Sequence, residues 1–198
     1  MCRFIESIQL NNGEFKRLKF HQERMDKAQM DFYPTHKAID LEKSLSIMNV
    51  PVAGIYKCRV VYDSEIRKIE FIPYVRRKIH SLQSVETKME SVPYKKEDRS
   101  ELDIAFAQRG GSDEVILVRN GLLTDTSFSN IALYDGISWY TPRIPLIQGV
   151  TRVELLQQGM LEERDIFLSE LMNFQRVSLF NAMNEFGSIE LDISFIRQ

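Results

Sequence analysis

The run Gly121-Leu122-Leu123-Thr124-Asp125-Thr126-Ser127-Phe128-Ser129-Asn130-Ile131 constrains this chain more than any other stretch. It reads as a strand leaving a glycine turn, with one carboxylate and a cluster of hydroxyls set between apolar residues. Thr141-Pro142 follows, and then Gly149-Val150-Thr151-Arg152, which opens a helix. Backbone N–H groups at a helix start have no partner within the helix, and the helix dipole favours an anion there. The Val150 and Thr151 amides and the Thr151 hydroxyl therefore form a candidate phosphate cradle, with Gly149 allowing close approach.

The remaining punctuation describes a mixed chain. Residues 2–10 predict a strand, and Asn11-Asn12-Gly13 a hairpin turn into residues 14–18. Phe20, Arg24, Ala28 and Phe32 recur at helical spacing before Pro34, and Asp40 can cap a second helix over 41–48. Strands are expected at 55–62 and 66–74, with 79–88 as a third in the same antiparallel sheet. Beyond Pro93 the pattern predicts a helix over 100–109 ended by Gly110-Gly111, and strands at 114–119, 122–134 and 138–141. A helix over 150–158 follows, then helical material at 163–172 and short strands at 177–180 and 188–191. Helices interspersed with mostly antiparallel strands make the fold class α+β, in two lobes divided near residue 90: 1–90 and 91–198.

Composition narrows the function. With 198 residues, 43% of them hydrophobic, the chain can bury a core of its own. A formal net charge of -2 gives no electrostatic footprint for nucleic acid, and Arg76-Arg77-Lys78 reads as a solvated strand edge. No apolar run reaches the ~20 residues of a membrane span, and no basic-then-apolar leader opens the chain, so a cytoplasmic protein is expected. Cys2 and Cys58 lie far apart and His21, His36 and His80 are scattered, which argues against a disulfide or a metal centre.

Taken with Thr141-Pro142 and Gly149-Val150-Thr151-Arg152, the Thr124–Asn130 run resembles the motifs of fold-type IV pyridoxal-phosphate (PLP) enzymes. That class IV aminotransferase superfamily includes D-amino-acid and branched-chain aminotransferases and 4-amino-4-deoxychorismate lyase. The resemblance implies a two-lobed D-amino-acid-aminotransferase-like fold and a PLP cofactor. It places Asp125, where most members have Glu, against the pyridine nitrogen, and Val150 and Thr151 on the phosphate. Tyr94-Lys95-Lys96-Glu97-Asp98-Arg99 matches the register of the family's Schiff-base lysine with Lys95 as the amine, Asp98 at i+3 and Arg99 at i+4; Lys96 is the competitor. Phe20-His21-Gln22-Glu23-Arg24-Met25 resembles the His-x-x-Arg signature, which assigns Arg24 to the phosphate. Asn181-Ala182 resembles the Asn-Ala form seen in the lyases and would also lie beside the phosphate. Phe4-Ile5-Glu6-Ser7-Ile8 resembles a strand that brings Ser7 to the substrate side, and Arg59 an arginine for a substrate carboxylate or, equally, a cross-strand ion pair.

Two departures accompany the resemblance. The chain begins at the strand that usually follows a leading segment, and the stretch between Arg59 and Lys95 is short. The implied activity is release of pyruvate from 4-amino-4-deoxychorismate, with an amino-acid aminotransferase or a PLP-binding protein of little activity as the alternatives. A small-molecule amine substrate and a homodimer, with the strands around 59–62 near the partner, complete the expectation.

Overall fold

In the computed structural model, which describes residues 2–198, the chain divides into two compact units. The first comprises Met1–Arg76 and Pro93–Asp98; the second comprises Arg77–Val92 and Arg99–Gln198. The expected division near residue 90 is thereby corrected. The lysine-bearing segment belongs with the amino-terminal unit, and the strand expected at 79–88 belongs with the carboxy-terminal one.

The first unit is a four-stranded antiparallel sheet in the order β2-β1-β3-β4, with β1 Phe4–Asn11, β2 Glu14–Phe15, β3 Ile55–Tyr62 and β4 Ile66–Pro73. Asn12 and Gly13, both at positive φ (48° and 85°), make the tight turn between β1 and β2. Two helices, α1 Leu18–Phe32 and α2 Leu41–Ser46, pack on one face of the sheet. The Asp40 side chain caps α2 by accepting from the Lys43 amide at 2.9 Å. Phe4, Ile8, Val60 and Tyr62 from the strands close with Met25, Ala28, Leu41 and Leu45 into one core. Full burial of each large apolar side chain contributes roughly 1.5–3 kcal/mol.

The second unit is built on nine strands of the described residues. Its main path runs β10-β9-β8-β7-β6-β5-β13, and β11 joins β8 to β12. The strands are β5 Leu82–Glu86, β6 Glu114–Arg119, β7 Leu122–Thr126, β8 Asn130–Tyr134, β9 Trp139–Pro142, β10 Glu162–Arg164, β11 Arg176–Phe180, β12 Glu190–Asp192 and β13 Ile196–Arg197, with helices α3 Ser100–Ala107 and α4 Val150–Gln157. Three pairings are parallel, β5 with β6, β13 with β5, and β10 with β9. Two expectations fail here. The single strand over 122–134 is two antiparallel strands folded at Ser127-Phe128-Ser129. The helical material at 163–172 is the short strand β10 followed by one 3₁₀ stretch, Leu168–Asn173.

The hydroxyl cluster explains the first failure. Thr126 Oγ1 accepts from the amides of Ser129 (3.0 Å) and Phe128 (3.3 Å) and shares a proton with Ser129 Oγ at 2.8 Å. Side chains that satisfy the backbone locally replace the strand ladder with a turn. Asp125 is the β7 residue that pairs across the fold-back with Asn130 of β8.

Candidate active site

Each unit gathers part of the expected set. In the first, Lys95–Glu97 run antiparallel to β1: the Ile5 amide donates to Lys95 O at 2.8 Å, Phe4 pairs with Lys96, and the Glu97 amide donates to Arg3 O at 2.9 Å. Lys95 is half-buried with Nζ 3.4 Å from Ser7 Oγ, whereas Lys96 is exposed. A cofactor lysine needs an enclosed amine, so this difference favours Lys95 over its neighbour. Ser7 lies opposite Arg59 in the β1–β3 register. Arg59 donates to Glu97 at 3.0 Å and to Glu70 at 3.5 Å, so the cross-strand ion pair is the role the structure shows for it.

Arg24 sits one turn after His21 on α1, and both face the fully buried Glu6 of β1. Arg24 Nε and Nη2 donate to the two oxygens of Glu6 at 3.0 and 2.5 Å, and His21 Nδ1 lies 2.6 Å from Glu6 Oε2. Burial raises the affinity of Glu6 for a proton, but the Arg24 charge and the His21 contact outweigh it and hold the carboxyl at about 2. Burial keeps His21 below its ordinary value, so the imidazole is neutral and donates its Nδ1 hydrogen to Glu6. Its Nε2 is buried without a partner. Glu6 is not among the sequence candidates, and His21 enters there only as the histidine of the His-x-x-Arg signature; the available signal for Glu6 was an acid inside an otherwise apolar strand face.

In the second unit Asp125 is buried between two donors. Asn130 Nδ2 donates to its Oδ1 at 2.8 Å and the Ile147 amide to its Oδ2 at 2.9 Å; Asn130 Nδ2 also donates to Ile147 O at 2.9 Å. Burial pushes the Asp125 carboxyl up to about 7, and the hydrogen bonds and the Arg152 charge offset it only in part. Among the described residues no cation makes an ion pair with it. A protonated pyridine nitrogen is a cation that would meet this need.

Three residues beyond Ile147, α4 begins. Gly149 at its N-cap has an ordinary backbone (φ -72°, ψ 138°), and a Cβ built there would stand 1.9 Å from Asn130 Oδ1. The glycine therefore makes room for the Asn130 side chain, not for a ligand. Val150 and Thr151 occupy the first turn, and the Thr151 hydroxyl is buried with no partner. An orphaned hydroxyl beside unbonded first-turn amides fits a phosphate.

Arg152 explains the spacing of the motif. Its Nη2 donates to Pro142 O (2.8 Å) and Glu163 (2.7 Å), its Nη1 to Gln148 (3.0 Å) and its Nε to Thr141 Oγ1 (3.3 Å). Thr141-Pro142 and Arg152 are thus one buried brace that fixes the start of α4 against β9. Asn181 is structural too. Its Oδ1 accepts from the amides of Met183 (2.8 Å) and Asn184 (3.0 Å), and its Nδ2 donates to Phe128 O at 3.0 Å, pinning the β7–β8 turn. The Asn181 carboxamide is thus engaged on both sides by the protein's own backbone.

The chain has known relatives. The model of the amino-transferase class IV family matches residues 78–190. An uncharacterized protein of Haemophilus influenzae is 32% identical over 187 residues, 93% of this chain and 99% of its own. A crystal structure from Haemophilus somnus 129PT, assigned as a 4-amino-4-deoxychorismate lyase, superposes with a TM-score of 0.86 at 28% identity, covering 93% of this chain and 98% of that one. The PLP-bound form of a hypothetical aminotransferase from Mycobacterium tuberculosis shares the fold at a TM-score of 0.76 and 18% identity, covering 99% of this chain and 84% of that one. The match over residues 78–190, which takes in Asp125 with its Asn130 clamp and the start of α4, shows that the chain belongs to the amino-transferase class IV family of PLP-dependent, fold-type IV enzymes.

Proposed function

We propose that the chain is a lyase acting on 4-amino-4-deoxychorismate, giving 4-aminobenzoate, a folate precursor, and pyruvate. The observation that carries this reading is the likeness, over nearly the full length of both chains, to the Haemophilus somnus protein assigned to that reaction. The Asn181-Ala182 pair agrees with it.

When bound, PLP supplies an electron sink for charge that develops at the amine-bearing carbon. Asp125, fixed by Asn130 and the Ile147 amide, would hold the proton on the ring nitrogen. The first turn of α4 would hold the phosphate through the Val150 and Thr151 amides and the Thr151 hydroxyl. Arg24 would add charge there, but Glu6 already neutralises much of it, so the helix start carries most of the anion binding. The Lys95 amine would take the proton from the amine-bearing carbon. The C–O bond to the pyruvyl group then breaks, the ring becomes aromatic, and the proton returns to the departing enol carbon as pyruvate forms. Ser7 would orient the amine of Lys95. A homodimer belongs to this proposal, closed two-fold assemblies being the commonest; light scattering should give about twice the 23.2 kDa chain mass.

The test is incubation of the PLP-loaded protein with 4-amino-4-deoxychorismate and no keto acid. Stoichiometric pyruvate and 4-aminobenzoate are expected, with loss of both in Lys95→Ala and retention in Lys96→Ala. Conversion of the cofactor to its pyridoxamine form by amino acids, with no pyruvate from the chorismate, would identify an aminotransferase and refute the lyase.

A further inference from the structure

Backbone pairing with β1 fixes where the α-carbons of Lys95, Lys96 and Glu97 lie. It does not fix the end of a four-carbon side chain. Glu97 supplies the additional anchor. Its Oε1 accepts from Arg59 Nη2 at 3.0 Å, and its Oε2 lies 3.8 Å from Arg3 Nη1. Arg59 is held in turn by Glu70 at 3.5 Å, and Lys68 sits 2.7 Å from the same Glu70. On β1, Ser7 lies directly opposite Arg59 and also receives the Lys95 amine. One cross-strand position thus connects the amine, through Ser7, and the segment that carries it, through Glu97. The Arg59 and Glu97 side chains are 25% and 31% exposed, so water screens their pairing only in part.

We infer that Arg59 is a positioning residue for Lys95, acting through Glu97, and does not bind the substrate carboxylate. The inference rests on the reading of Lys95 as the cofactor lysine. A substrate carboxylate at Arg59 would compete with Glu97 for the guanidinium and so loosen the segment whose amine it needs. With Glu97 in place, the same guanidinium tightens that segment, and the long lysine side chain sweeps a smaller volume around the carbonyl it must meet. Pre-ordering of this kind is read out in formation of the covalent link, not in recognition of the phosphate.

Two probes separate these contributions. PLP links to the lysine; pyridoxamine 5′-phosphate carries an amine in place of the aldehyde and is held by phosphate and ring contacts alone. Arg59→Met and Glu97→Gln should each weaken PLP binding about tenfold, leave pyridoxamine 5′-phosphate within about twofold, and be no worse combined than singly. Unchanged PLP affinity in both variants, or equal losses for the two probes, overturns the inference. So does Arg59→Met losing affinity only for carboxylate-bearing amines while Glu97→Gln behaves as the parent. Should Arg59→Met fail to fold, the partly exposed Glu97→Gln carries the same expectation alone. Borohydride reduction with peptide mapping tests the underlying reading separately: an adduct on a lysine other than Lys95 refutes that assignment whatever the Arg59 variant does.

Discussion

Gly149→Ala should be a damaging substitution even though the backbone there suits alanine. With φ at -72° and ψ at 138° the residue adopts a conformation any L-amino acid tolerates, and alanine alone would stabilise slightly by restricting the unfolded chain. The obstacle is Asn130 Oδ1, 1.9 Å from where the new methyl must go. Asn130 is buried and its Nδ2 donates to both Asp125 Oδ1 and Ile147 O. Swinging the carboxamide away breaks the bond to the carboxyl and the bond to the carbonyl. Together they are worth about 1–3 kcal/mol. Thermal unfolding should fall by on the order of 10 °C. With one of its donors gone, the Asp125 carboxyl takes up a proton more readily, and PLP affinity should fall with the stability. The decisive measurement is the double-mutant cycle with Asn130→Ala. Once Oδ1 is removed the clash has no second partner, so Gly149→Ala should cost almost nothing in that background. Additive losses, or a Gly149→Ala protein with parental melting and PLP affinity, would refute the packing argument.

Arg152→Met should lose about 1–3 kcal/mol in urea unfolding, because the buried Pro142 carbonyl and Thr141 hydroxyl lose their donor while the exposed Glu163 carboxylate stays solvated. Asp125 gives a pH signature. Its folded value of about 7 lies above the ordinary 3.8, so the native state keeps a proton that the unfolded chain releases. Stability of the cofactor-free protein should therefore fall as pH rises from roughly 4 to 7, by about 4 kcal/mol more than in Asp125→Asn. Parallel stability–pH curves for the two proteins would show that Asp125 is not protonated at neutral pH. Glu6 works in the opposite sense: held at about 2, it stabilises above pH 4.5 and that contribution is lost as pH falls toward 2, a loss Glu6→Gln should abolish in acid unfolding.

Elements specified by neighbouring residues were legible in the sequence. The Asn12-Gly13 turn, the Asp40 cap, strands β3, β4 and β6 and the start of α4 all follow from contacts within a few positions. The failures involve distant partners or competing local bonds. Strand β5 has the composition of a hairpin neighbour of β4, yet it pairs in parallel with β6 about thirty residues later. The Ser127-Phe128-Ser129 fold-back looks like strand continuation until the Thr126 hydroxyl is seen to satisfy the amides on the far side. At the site, motif spacing singled out Lys95, Asp125 and Thr151 as candidates but could not show which motif residues brace one another. Gly149, Arg152 and Asn181 answer to Asn130, Thr141 and Phe128, relations that appear only when side chains are placed.

The return of Pro93–Asp98 to the first unit bears on how such a chain can be recombined. A crossover near residue 90, natural or engineered, would transfer Lys95 with the carboxy-terminal half while leaving Ser7, Arg59 and the β1 backbone behind. The hybrid would inherit its amine from one parent and that amine's surroundings from the other. Viable chimaeras should therefore exchange residues 1–76 and 93–98 as a pair, so two separated stretches of coding sequence are expected to behave as a single heritable block.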